Sequence, residues 1–297
     1  MMAEIPSPDA ISESAFSAAL ARYPAVIKAV SKAKSKPGQQ TLEELDEFRY
    51  VSAPARFGLA GGETSREAMS LDDVKTLVAW KLKHGKFRPT LMKLVESNDK
   101  ATVEKTVLEA LSAYEAALPE AGKENQIQAH AHASTVAVRV LSRLRGIGPA
   151  TASLLAAVHY PQKTIFFSDE AYAWLCGGSS SGYQRPSKYN DKEYAELTKA
   201  AAELMIRLDK SAQDVEQAAY VLINDDGSNK EKDEKNDKKD KKEKKETKDT
   251  APKAKAHQES KSAKTKVEHT AKDNKRKEPP TDAAQTGSRR SSRLRSG

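Results

Sequence analysis

Two short stretches carry the residue types that could do chemistry. The first is Gly146-Ile147-Gly148-Pro149, which follows Ala137, Val140, Leu141 and Leu144 at helical spacing and precedes Ala152 and Leu155. That pattern predicts a helix, a tight turn and a second helix. Both glycines permit a positive φ and a close approach of backbone, and Pro149 suits a first helical position, where its missing N–H costs nothing. Backbone N–H groups at such a turn and helix start point outward without partners, a seat suited to a phosphate. The second stretch is Ser168-Asp169-Glu170, after Thr164-Ile165-Phe166-Phe167, which reads as extended. A carboxylate there can take or give a proton. A hydroxyl followed by two acids is also the ordinary opening of a helix, favoured by the cap and the dipole.

Leu141, Leu144, Gly146, Ile147, Gly148 and Ala152 match the pattern apolar-x-x-apolar-x-Gly-apolar-Gly-x-x-x-Ala throughout. The hairpin resembles the helix-hairpin-helix of DNA-binding and DNA-repair proteins. An aspartate opening a helix 23 residues beyond the first hairpin glycine is similar to the helix-hairpin-helix superfamily of DNA glycosylases. Gly85-Lys86-Phe87-Arg88-Pro89, this hairpin and Ser168-Asp169-Glu170-Ala171-Tyr172-Ala173-Trp174-Leu175 together look most like the Amun-type glycosylase-like proteins. The resemblance covers about residues 10–224, and its sharp part is about 35 residues long.

The resemblance implies that Asp169 is the catalytic acid, with Glu170 as the fallback if the register slips by one. Cleaving an N-glycosidic bond builds positive charge on the sugar, which a carboxylate stabilises or meets with an activated water. With the hairpin and the basic residues flanking it, the expected DNA contacts are Arg145, Gly146, Ile147, Gly148, Ala150, Thr151, Lys86 and Arg88. A target base would swing out of the duplex against aromatic walls, and Tyr172, Trp174, Trp80 and Phe87 are the candidates. Bifunctional members carry a Schiff-base lysine two residues after the second hairpin glycine. Here that position is Ala150, which implies a monofunctional enzyme without a lyase step. Iron–sulfur members use four cysteines, whereas this chain has only Cys176.

These residues have to be positioned by helices. Ser70-Leu71-Asp72-Asp73 is a capping box, opening a helix with Leu71, Val74, Val78 and Leu82 on one face. Val103, Val107, Leu111, Tyr114 and Leu118 form one apolar stripe, and Tyr194, Leu197, Ala201, Leu204 and Leu208 form another. Residues 9–34 give one or two helices, with a possible break at Pro24, and Ser211 with Asp214 opens a last helix ending near Leu222. Apart from residues 164–167, nothing alternates with period two. The expectation is an all-α, glycosylase-like domain over residues 1–225, with the helix-hairpin-helix at 134–158.

Composition changes at Asp225-Asp226-Gly227-Ser228. Residues 226–297 hold 23 Lys/Arg and 14 Asp/Glu and hardly any large apolar residue, so they cannot offset ordering entropy and are expected to be disordered. The remainder holds 27 basic and 28 acidic residues, so the chain's net +8 belongs to the tail. A duplex-binding domain commonly carries a basic face, which a net charge near zero neither shows nor excludes. Within it, Lys81, Lys83, Lys86 and Arg88 surround Gly85, and Arg139, Arg143 and Arg145 lie before the hairpin. Lys275-Arg276-Lys277-Glu278-Pro279-Pro280 and Ser288-Arg289-Arg290-Ser291-Ser292-Arg293-Leu294-Arg295 read as basic nuclear-import or nucleic-acid contacts.

Other chemistry is disfavoured. His130 and His132 point in different directions on a helix, and His84 and His159 have no neighbouring ligands, so no metal site or other cofactor is expected. A single cysteine suits a reducing compartment. No secretory signal or membrane span is apparent. Residues 177–190 read as a flexible loop that follows the acid-bearing helix. Two functions stay open: a nuclear, DNA-associated, monofunctional base-excision enzyme, and a non-catalytic chromatin or scaffold protein on the same fold. DNA and a nuclear import receptor for the tail are the expected partners, with no membrane.

Overall fold

Polar caps set where the helices begin. Ser12, Thr41, Ser70, Asp99, Ser168 and Asn190 each accept a backbone N–H from the turn they open, which satisfies a donor that would otherwise be orphaned. The computed structural model describes residues 5–58, 67–119, 126–177 and 187–224, all in one unit, Met1–Glu243. In chain order the helices are α1 (Glu13–Lys34), α2 (Leu42–Glu47), α3 (Ala53–Phe57), α4 (Leu71–His84), α5 (Leu91–Glu96) and α6 (Lys100–Ala116). They continue with α7 (Gln126–Leu141), α8 (Pro149–His159), α9 (Asp169–Cys176), α10 (Asp191–Leu208) and α11 (Ala212–Asn224), while one π-helical turn, Phe48–Ser52, joins α2 to α3. The described residues are all-α, with no strand among them. None of these helices is long and apolar enough to cross a membrane. The charged tail lies outside the described residues.

Helix α8 is the centre of the core. Every residue from Ala150 to His159 is buried, as expected of a helix that is apolar on all sides. Helices α3, α4, α7 and α10 surround it. Helix α7 lies between α6 and α10, and α11 packs against α1 and α9. Helix α1 runs through Pro24 without interruption, so the possible break there does not occur. A proline inside a helix costs about 3 kcal/mol, and the buried Phe16, Ala19, Tyr23 and Ile27 span it on one face. The apolar stripes of α6 and α10 face inward as their spacing predicts.

Residues 164–167 pair with no strand among the described residues. Side chains of four helices hold them instead. Ser134 of α7 hydrogen-bonds the Thr164 hydroxyl at 2.8 Å, and the Tyr194 hydroxyl of α10 donates to the Ile165 carbonyl at 3.2 Å. The Phe166 N–H donates to Glu216 of α11 at 2.6 Å, and the Phe167 N–H to Ser153 of α8 at 2.9 Å. Buried backbone polar groups need partners, and here the helices supply them. Glu216 also accepts from the Tyr50 hydroxyl and from Arg49 Nη2, both at 3.2 Å. The Arg49 and Glu216 side chains are only 1% and 3% exposed. This pinned connection delivers the chain to Ser168 and α9.

Candidate functional site

Asp169 is the first residue of α9. Ser168 caps the helix, its Oγ accepting from the Ala171 N–H at 2.9 Å. The helix-opening role therefore falls to Ser168 and leaves the Asp169 carboxylate for a cleft. One Asp169 oxygen accepts from the Tyr189 hydroxyl, and the other lies 3.6 Å from Lys86 Nζ. The Asp169 side chain is 28% exposed. Lys81 and His84 reach the cleft from the end of α4, Lys86 and Arg88 from the turn after it, and residues 166–168 line it too. The enclosed volume is about 30 Å³, room for one or two waters.

Burial dominates the electrostatics. It lowers the Lys81 amine to about 8, helped by the nearby Arg88 cation and opposed by Asp169. His84 is stacked between Trp80 and Tyr220, at ring-centroid distances of 4.3 and 4.1 Å, and burial lowers it to about 3. Its Nε2 has no hydrogen-bond partner among the described residues. Burial raises the Glu170 carboxyl above the usual carboxylate range. Burial, then the Asp169 carboxylate, raises the Tyr189 phenol. The Arg88 guanidinium sits over the Tyr189 ring at 5.6 Å. Tyr189 has φ 53°, a left-handed conformation that costs a non-glycine residue about 1–3 kcal/mol and clusters at functional sites.

The hairpin matches its expected shape and corrects two details. Gly146 has φ +77°, and a Cβ there would lie 2.9 Å from Leu94 Cβ and 3.1 Å from the Val95 nitrogen of α5. Gly148 has φ −87° and ψ 178°, an extended conformation open to any residue, so the positive φ expected of both glycines holds only at Gly146. A Cβ on Gly148 would meet nothing within 4 Å. No acceptor among the described residues takes the N–H of Gly148 or Ala150. Asn98 grips the tip: its Oδ1 accepts the Arg145 N–H and its Nδ2 donates to the Arg145 carbonyl, each at 2.9 Å. The Ile147, Ala150 and Thr151 side chains are buried, so of the expected hairpin contacts only Arg145 offers an exposed side chain. Gly148 and Ala150 offer backbone.

The expected aromatic wall is not assembled. Tyr172, Trp174 and Trp80 are buried in the core. The Tyr172 hydroxyl donates to Glu196, the Trp174 indole to the Pro6 carbonyl at 2.9 Å, and the Trp80 indole to Asp46 at 2.8 Å. Large aromatics bury the most apolar area, and the core takes them first. Phe87 has the opposite fate: it is 73% exposed, flanked in sequence by Lys86 and Arg88 beside the cleft. Tyr189 supplies the ring next to Asp169, and Lys81, already one of the basic residues around Gly85, lines the same cleft with His84; no local motif marks Tyr189 or His84. Of the hairpin-approach arginines, Arg139 pairs with Asp191 at 3.2 Å and Arg143 with Glu109 at 3.4 Å. Arg145 has no ion pair among the described residues. The same residues contain no group of three potential metal ligands. No family model, curated protein or solved structure matches the chain.

The turn carrying Lys86, Phe87 and Arg88 leads from the cleft into α5, whose Leu94 and Val95 abut Gly146.

Proposed function

We propose that residues 1–225 form a helix-hairpin-helix, DNA-glycosylase-like domain that binds DNA through the Gly148 edge of the hairpin and the Lys86–Arg88 turn, and that Asp169 carries a base-excision step. The observation that carries this reading is the Asp169 carboxylate. It opens α9, is not used as a cap, and sits in a cleft lined by Lys81 and flanked by the exposed Lys86 and Arg88. Cations at a cleft mouth suit phosphates on either side of a target nucleotide. Phe87, exposed between two of them, is placed to enter the base stack that the target nucleotide leaves. Opening the cleft to a base requires Tyr189 and Lys86 to release Asp169.

The test is base release from lesion-bearing duplexes by the wild type and by Asp169→Asn. We expect release by the wild type, a fall of orders of magnitude in the variant, and duplex binding retained. No release from any lesion, with duplex binding intact, favours the second reading, a non-catalytic DNA-associated scaffold. The specific observation on that side is the small volume of the cleft with Asp169 held by two donors. The basic clusters of the tail are proposed to direct the chain to the nucleus through an import receptor.

A further inference from the structure

Among the described residues, two that are not glycine have a left-handed backbone, Tyr189 at φ 53° and Asp209 at φ 49°. Asp209 closes α10, where a short polar side chain tolerates that shape. Tyr189 is bulky and lies ahead of the Asn190 cap, so its conformation is strained and has to be imposed by its surroundings. Glu193, buried in α10, accepts from the Ser187 hydroxyl at 2.9 Å and from the Lys188 N–H at 2.8 Å. Ser187 Oγ in turn accepts the Tyr189 N–H at 3.0 Å. The turn held in this way sets the Tyr189 ring against Phe167, 5.4 Å away between centroids, and under the Arg88 guanidinium, with its hydroxyl on Asp169. We infer that Tyr189 is a removable internal occupant of the Asp169 cleft, and that release of this turn opens the cleft to a planar ring carrying its own hydroxyl or amine donor.

Three features lead from strain to release. The Tyr189 hydroxyl and the Lys86 ammonium engage the two Asp169 oxygens, so the protein itself occupies the carboxylate that a ligand needs. Tyr189 lines the cleft, and withdrawing its ring adds a ring-sized space to a site that is otherwise small. The cost of the left-handed conformation is of the same order as the gain from one hydrogen bond to a charged group, so the closed and relaxed turns lie close in free energy. Relaxing the turn moves residues 187 and 188 relative to α10, and the Lys188 N–H then loses Glu193. A ligand that binds only the open form draws the equilibrium toward it.

The inference rests on the reading of this cleft as the working site, and adds how that site is kept closed. Amide exchange on the full chain reports local opening separately from global unfolding. The Lys188 N–H should exchange about 100-fold faster than that of Leu197, buried in the middle of α10. Tyr189→Phe keeps the ring and the strain but removes the donor, so Lys188 exchange should rise by about tenfold or more. The ligand probe is p-cresol, the tyrosine side chain as a free molecule. Tyr189→Gly accepts the left-handed turn without strain and leaves the slot empty. It should bind p-cresol at least about tenfold more tightly than the wild type, whose affinity is reduced by its small open fraction. It should also prefer p-cresol to toluene, which lacks the donor. Excess p-cresol should speed Lys188 exchange in the wild type.

Lys188 exchange as slow as that of Leu197, or unchanged by Tyr189→Phe, overturns the proposal and makes Tyr189 a fixed wall of the cleft. Equal p-cresol affinity in the wild type and Tyr189→Gly overturns it too, as does toluene bound as tightly as p-cresol. If Tyr189→Gly does not fold, the exchange comparison with Tyr189→Phe decides alone. Neither arm uses DNA, which separates this inference from the excision reading. Absent base release together with an opening turn retires the excision step and keeps Tyr189 as a removable occupant; base release together with a fixed turn does the reverse.

Discussion

Glu216→Gln tests how the site is held. Glu216 is buried with Arg49 at 3.2 Å, and Arg49 Nε and Nη1 already lack partners among the described residues. Glutamine keeps an acceptor for the Phe166 N–H but leaves the guanidinium without its ion-pair partner. Removing one partner of a buried pair costs about 3–5 kcal/mol, and the retained hydrogen bond puts this case near the lower end. For a domain of this size, about 3 kcal/mol lowers Tm by roughly 6–12 °C. The companion is Arg49→Met combined with Glu216→Gln. Burial already raises the Glu216 carboxyl, with Arg49 opposing, so ionising it at neutral pH works against folding. Deleting both charges should therefore recover most of the loss. Urea denaturation gives the stabilities, and amide exchange at Phe166 reports whether the connection loosens. A Glu216→Gln variant costing under about 1 kcal/mol, or a double variant no more stable than Glu216→Gln alone, would refute the reasoning.

Gly146→Ala forces a methyl group into Leu94 and Val95 at φ +77°, so a melt should show a loss of at least about 1–3 kcal/mol; an unchanged Tm would contradict the close packing of α5 on the hairpin. Gly148→Asp should behave oppositely in a melt. It introduces a favoured N-cap into open space, so stability should hold or rise by a few tenths to about 1 kcal/mol, while duplex affinity measured by anisotropy should fall; equal affinity would remove the phosphate seat. His84 is lowered from 6.5 to about 3 by burial, so its contribution is complete above pH 6.5 and lost as pH falls toward 3. Over that window it should steepen the decline in stability by up to about 1.4 kcal/mol per pH unit, and His84→Phe should flatten urea-derived stability against pH; parallel profiles would contradict this.

What the sequence revealed is what local chemistry decides. The Ser70 and Ser211 caps, the turn at Gly146, Pro149 at a helix start and the opening of α9 all depend on residues within a few positions of each other, and all appear. Gly148 departs from the expected positive φ because two glycines in one turn look alike in sequence until packing separates the one against α5 from the one in open space. The aromatic wall failed for a long-range reason. A tryptophan near a catalytic motif in sequence is a candidate for the site, yet Trp80 and Trp174 are claimed by contacts with Asp46 and Pro6, far away along the chain. Lys81 and His84 are neighbours on α4 by helical spacing, but Tyr189 and Asp169 join them only when α4, α9 and the segment before α10 come together, which no local spacing encodes. The extended reading of residues 164–167 lacked a strand partner because Ser134, Ser153, Tyr194 and Glu216 take its place.

Asn98 makes the hairpin tip a finished surface before any ligand arrives. Its side chain closes on both backbone groups of Arg145 from 47 positions away, so the loop is a braced corner rather than a free strand of chain. Ordering flexible loops weakens many associations, and this corner has little left to order. A phosphate docking at Gly148 and Ala150 would meet donors already aimed, and encounter there would be governed by diffusion and salt rather than by waiting for a rare loop shape.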